Sequence, residues 1–190
     1  MSTKLILADS ELEQWHKLVQ EAEADYGIHL DEAMQSYLVF TLMRFMKKQD
    51  LNTQALALEY LQAHGLPNQM KLDQLRDIGD QCLLVSGLYP KRAEKKLVRV
   101  SYYVDLGRSA YHNLSHCAQK GVAELYSQLE ETFTLLMDLL QTIRQYSSPA
   151  LQPLAAMELW SDTGSRVAYQ QLSGDALPVH EQLLNTRFKQ

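Results

Sequence analysis

The chain has 190 residues, enough for one well-packed domain and short for two, and its 46% hydrophobic and 22% charged residues are the balance of a soluble globular protein. Eight glycines and five prolines are too few for an all-β sandwich, which turns about every 8–12 residues. The 18 Lys plus Arg against 23 Asp plus Glu give a net charge of −5, which speaks against wholesale wrapping by nucleic acid and leaves only local basic patches.

The first residues, MSTKLILADSELEQ, hold one lysine and a four-residue apolar run, so no secretory signal is expected. From Ser10 the residues Leu12, Trp15, Val19, Ala22 and Tyr26 step by three and four, the stripe of an amphipathic helix. Ser10 with Glu13 reads as a capping box at its start, and Gly27 as its end. A second helix is expected over 31–48. Its apolar residues, among them Tyr37, Phe40 and Phe45, lie on nearly all sides, which predicts a central, buried position. The run YLVFTLMRFM within it carries Arg44 and is about half the length of a membrane span. That arginine is expected to snorkel toward water, the alternative being a carboxylate or anion partner inside.

A third helix spans 52–64, stopped by Gly65 and Pro67, and a fourth runs from about Asn68 to Ser86, burying Leu72, Leu75, Ile78, Cys82 and Val85. Asp77 and Asp80, three apart on it, read as helix surface. From Lys91 the pattern stays helical to about Tyr146. So long a helix is improbable, and a break is expected near Cys117 to Gly121. The segment 122–146, with Val122, Leu125, Leu129, Leu136, Leu139 and Ile143, is expected to form one long central helix. The tail gives a short helix from Pro153 to Trp160, a turn at Asp162–Gly164 and a helix to about Leu172. Residues 175–190 have few anchors and read as a mobile or partner-docking tail. The expectation is therefore an all-α single domain over 1–190, a bundle of six to eight helices.

Three constellations bear on chemistry. Glu13-x-x-His16 is half of a di-iron motif whose second copy is missing, and the helical wheel points Glu13 to solvent. His112 and His116 stand four apart on one predicted helix, the spacing that lets two imidazoles share a metal, and Asp105 falls on the same stripe. The three span almost three turns, roughly 16 Å, so one ion reaches only the histidine pair. The same pattern describes a polar face with two ordinary histidines. Lys91, Arg92, Lys95, Lys96 and Arg99 place five cations on one side of two helical turns, with Glu94 the only acid among them. Cations at a helix start oppose its dipole, so helix stability does not explain them, whereas an acidic partner protein, a phosphate or the acidic remainder of the fold would. Tyr89, Tyr102 and Tyr103 lie close enough in sequence to support nucleic-acid stacking, and a solvated charged face accounts for the run equally. Gly-rich phosphate loops, GxSxG and HExxH are absent. Cys82 and Cys117 show neither CxxC nor zinc spacing, which suits two reduced thiols in a cytoplasm.

At 77–90 and 98–115 the chain resembles a group of uncharacterised bacterial proteins of about 200 residues. The shared elements are Gly79-Asp80 before an apolar run ending Ser86-Gly87-x-x-Pro90, then Tyr102-Tyr103 and Gly107-x-x-Ala110-Tyr111. The resemblance covers about 40 residues and implies no known activity. Gly107 and Ala110 are small enough for close helix approach, and Tyr103 and Tyr111 fall on the core side, with Tyr102 off the stripe.

The expected function is that of a non-catalytic cytoplasmic interaction or regulatory protein with no cofactor. The alternatives are a metal- or small-molecule-binding protein using Asp105, His112 and His116, and nucleic-acid or phosphate binding through 91–99. A homodimer is expected, because a helix of about 25 residues, roughly 37 Å long, needs its far end covered. The competing cover is the tail itself, through Leu154, Met157, Trp160, Val167 and Leu172.

Overall fold

The computed structural model describes residues 10–46, 55–95, 98–148 and 150–174, and among these every regular element is an α-helix. There are ten such helices rather than six to eight: α1 (Glu11–Tyr26), α2 (Glu32–Met46), α3 (Leu56–Ala63), α4 (Asn68–Gly87), α5 (Pro90–Lys95), α6 (Val100–Cys117), α7 (Lys120–Glu131), α8 (Phe133–Gln145), α9 (Pro153–Thr163) and α10 (Arg166–Ser173). The higher count comes from breaks inside the stretch 91–146. None of the helices, among the described residues, is long and apolar enough to cross a membrane. The expected tail 175–190 lies outside the described residues.

Local chemistry sets the ends. Ser10 Oγ accepts the Glu13 amide (3.3 Å) while the Glu13 carboxylate accepts the Ser10 amide (2.7 Å), the reciprocal pair the sequence announces. Gly27 closes α1 with a positive φ of 76° that a side chain would resist. Asp31 Oδ1 accepts the Met34 amide (2.8 Å) and so starts α2. The expected break after Cys117 falls at Ala118, whose backbone is extended.

Two further breaks were not anticipated. After α5 the Val98 amide closes onto the Ala93 carbonyl (3.1 Å), and Arg99 is extended before α6. At Thr132 the backbone leaves the helical region (φ −96°, ψ 11°) and the threonine hydroxyl donates to the Gln128 carbonyl (2.6 Å). The expected single helix over 122–146 is thus two. The first, α7, lies along α6, and the second, α8, packs on α4 and α1.

The centre of the molecule is also different from expectation. The closest pair is α4 on α6, with α8 against α4. In α4, Ile78, Gly79, Asp80 and every residue from Cys82 to Gly87 are buried, so it is covered on nearly all sides. By contrast α2 lies at the flank: Phe40 is 59% exposed, and its apolar surroundings in sequence overstated its depth. α8 keeps its central place, while Val122 of α7 is exposed. The tail helices fold back, α9 onto α6 and α10 onto α9 and α8, burying Ala156, Leu159, Val167 and Ala168.

Candidate functional site

A buried polar cluster lies where side chains of α2, α4 and α6 meet. Asp80 is 1% exposed, the reverse of a surface position. Its Oδ1 accepts hydrogen bonds from the hydroxyls of Tyr37 (2.6 Å) and Tyr111 (2.7 Å), and its Oδ2 is met by the Arg44 guanidinium. Arg44 also reaches Asp77 (3.1 Å), which is partly exposed, so the arginine bridges a buried carboxylate and the surface instead of simply snorkelling. Tyr126 of α7 stacks on Tyr111, ring centres 6.1 Å apart, and stands edge to face with Tyr37 at 6.3 Å.

Burial pushes the Asp80 carboxyl above its ordinary range, against the opposing pull of Arg44 and the two hydroxyls. Burial, with the Asp80 charge beside them, also drives the Tyr37 and Tyr111 hydroxyls well above theirs, so both keep their protons and act as donors. The carboxylate therefore has donors on both oxygens, an arrangement that fixes three helices in register. The approach depends on Gly79: a Cβ there would stand 2.5 Å from Tyr111 Cε1. Gly107 and Gly87 serve the same end, a Cβ on each meeting Phe133 Cε2 or Leu140 Cβ at 2.5 Å. The Gly79-Asp80 and Gly107-x-x-Ala110-Tyr111 elements are thus two sides of one helix crossing.

A second buried carboxylate, Asp138 of α8, caps α10 from a distance. It accepts the Ser165 hydroxyl (2.5 Å), the Tyr26 hydroxyl (2.9 Å) and the Arg166 amide (2.7 Å), while Ser165 Oγ accepts the Ala168 amide (3.1 Å). Burial pushes its carboxyl up to about 6, the hydroxyls and amides opposing. Neither carboxylate was found as a site from sequence. The signals for the first are Arg44, a cation in an apolar helix that needs a partner, and the place of Asp80 in the Gly79-Asp80 element.

The histidine pair is exposed on α6, its ring centres 4.3 Å apart. His112 Nδ1 lies 3.0 Å from Glu130 Oε2 of α7, and His116 Nδ1 lies 2.8 Å from the His112 carbonyl. Asp105 is exposed on the same helix but does not join them: among the described residues, no three His, Cys, Asp or Glu gather as a potential ligand set. Glu13 is exposed and spent on its cap, as the wheel required. Both cysteines are free thiols, Cys82 buried and Cys117 half-buried.

The basic run is not one continuous stripe. Lys91, Arg92 and Lys95 fall on α5, whereas Arg99 precedes α6 beyond the turn at Val98, so five cations do not share one helix face. Lys96 and the Lys95 side chain lie outside what the structure describes. Lys91 is exposed, Arg92 lies 4.9 Å over the Tyr89 ring, and Arg99 pairs with Asp162 (3.5 Å) and Glu158 (3.8 Å) of α9. At least one of these cations therefore meets the acidic remainder of the fold.

Along the outside of α9, Leu154 (64% exposed), Met157 and Trp160 (43%) follow at intervals of three, the spacing of one helix face. The Trp160 ring lies 5.2 Å from that of Tyr169 on α10, and Leu172 is exposed one turn further. The tail thus covers the core with one face and leaves a second apolar face outward. Compared with known proteins, the chain matches no family model, no curated protein and no solved structure.

Proposed function

We propose that this chain is a non-catalytic cytoplasmic interaction protein, a single helical bundle that works as a homodimer joined through α9 and α10. The observation that carries the reading is the outward apolar face of Leu154, Met157, Trp160 and Leu172. Exposed apolar residues gathered on one face mark an interface more often than residues scattered singly do. A second copy is the occupant of choice, because one apolar face meets itself about a two-fold axis and closes the assembly. The original reason for a dimer, an uncovered 25-residue helix, falls away with the break at Thr132. The face on α9 replaces it.

The two buried carboxylates support a binding role over catalysis, since each spends both its oxygens on donors within the fold. Phosphate or nucleic-acid binding at 91–99 has weaker support, with Arg99 engaged by α9. Kinship with the uncharacterised bacterial group belongs to the same proposal.

Light scattering on an eluting peak tests the dimer. The wild-type chain is expected at twice its monomer mass, and Met157→Asp, which sets a charge into the apolar face, at the monomer mass. A wild-type chain that stays monomeric at high concentration overturns the reading.

A further inference from the structure

We propose that His112 and His116 form a two-histidine chelate for a divalent transition-metal ion, held ready by Glu130 across the α6–α7 packing. The argument starts from proton placement. A carboxylate only accepts, so the 3.0 Å contact of His112 Nδ1 with Glu130 puts the proton of the neutral ring on Nδ1. A backbone carbonyl also only accepts, so the 2.8 Å contact of His116 Nδ1 with the His112 carbonyl does the same for the second ring. Ser115 Oγ, which donates to that carbonyl (2.7 Å), lies 3.2 Å from the same Nδ1. Both rings are therefore fixed in the tautomer that leaves Nε2 with a free lone pair, the state a metal ligand requires.

The rings also lie close enough to share an ion. Two imidazoles bound through nitrogens at about 2.0–2.1 Å hold their centres roughly 4.5–5 Å apart. The observed 4.3 Å is close to that separation, and both side chains are exposed on α6. Glu130 takes the part of the outer carboxylate that orients a ligating histidine. It sits 18 residues from His112, and only the antiparallel return of α7 along α6 brings it there. Asp105, roughly 10 Å along the helix from His112, takes no part. The remaining coordination positions stay open to water, as in a site of exchangeable rather than structural metal.

Calorimetric titration of the full chain, carrying no polyhistidine tag, with Cu2+ and with Zn2+ tests this independently of the dimer. One equivalent of each is expected, Cu2+ the tighter. His112→Asn and His116→Asn should each weaken Cu2+ binding at least tenfold with helix content unchanged by circular dichroism. Glu130→Gln should weaken it about tenfold, at the low end of what loss of an outer partner does. The paramagnetic spectrum of the Cu2+-bound wild type should show two nitrogens, and that of each histidine variant one. Equal affinity in the His112→Asn/His116→Asn double variant, or a single-nitrogen spectrum in the wild type, overturns the proposal.

Discussion

Asp80 and Asp77 sit three residues apart on one helix and differ in almost everything that matters to stability. Asp80 is enclosed and holds two tyrosine hydroxyls and an arginine, while Asp77 meets the same arginine from the half-exposed side. Removing the Asp80 carboxylate leaves two enclosed tyrosine hydroxyls short of an acceptor, at a cost of about 1–3 kcal/mol each, whereas an exposed pair contributes at most about 1 kcal/mol. Urea unfolding should therefore show a large loss for Asp80→Asn and a small one for Asp77→Asn. Comparable losses would mean that the cluster does not bear on stability as described. Asp138 adds a pH dependence. Its carboxyl titrates at about 6 in the fold against 3.8 ordinarily, so the folded state holds this proton more tightly than the unfolded chain. The stability it contributes is full below 3.8 and is lost as pH rises through about 6. The stability gap between wild type and Asp138→Asn should thus shrink between pH 4 and pH 7, which unfolding curves at both ends will measure. A gap that widens over that range contradicts the burial argument.

At the scale of elements, close crossing is decided by what a helix lacks. Gly107 on α6 has Phe133 and the Cys82 Cβ where its own Cβ would go, at 2.5 and 2.8 Å. Gly121 in the first turn of α7 has nothing within 4 Å. Gly107→Ala is expected to destabilise by about 1–3 kcal/mol through overpacking. Gly121→Ala should stabilise by roughly 0.4–1 kcal/mol by restricting the unfolded chain. Thermal melts of the two variants, moving in opposite directions, check both. The sequence carries a helix end well where a local pair makes it, as with Ser10 and Glu13, and a close crossing where small residues such as Gly107 and Ala110 stand on the buried stripe. It is silent at Thr132, because nothing in the apolar spacing of 122–146 changes where the backbone turns. It misleads at Asp80, where an acid at helical spacing from another reads as surface. Its partners Tyr37, Arg44 and Tyr111 lie 43, 36 and 31 residues away, and periodicity contains no information about pairing at that range. The Glu130 partner of His112 is hidden for the same reason.

For the molecule as a whole, the tail helices have two faces with different tasks. The inner face is pinned at one end by the Asp138 cap on α10 and along α9 by Ser101 and Arg99 on Asp162. Docking of the tail therefore belongs to the folded chain and does not wait for a partner, and the outer apolar face is presented already formed. A dimer assembled from preformed faces obeys mass action: dilution dissociates it, and what dissociates is less stable by the free energy the interface supplied. The unfolding midpoint of the wild type should accordingly rise with protein concentration. Met157→Asp leaves the inner face untouched, Met157 being exposed, and should give a midpoint that does not move with concentration and matches the wild type at high dilution. A wild-type midpoint independent of concentration, with the variant melting at the same temperature, would show that α9 and α10 join no second copy.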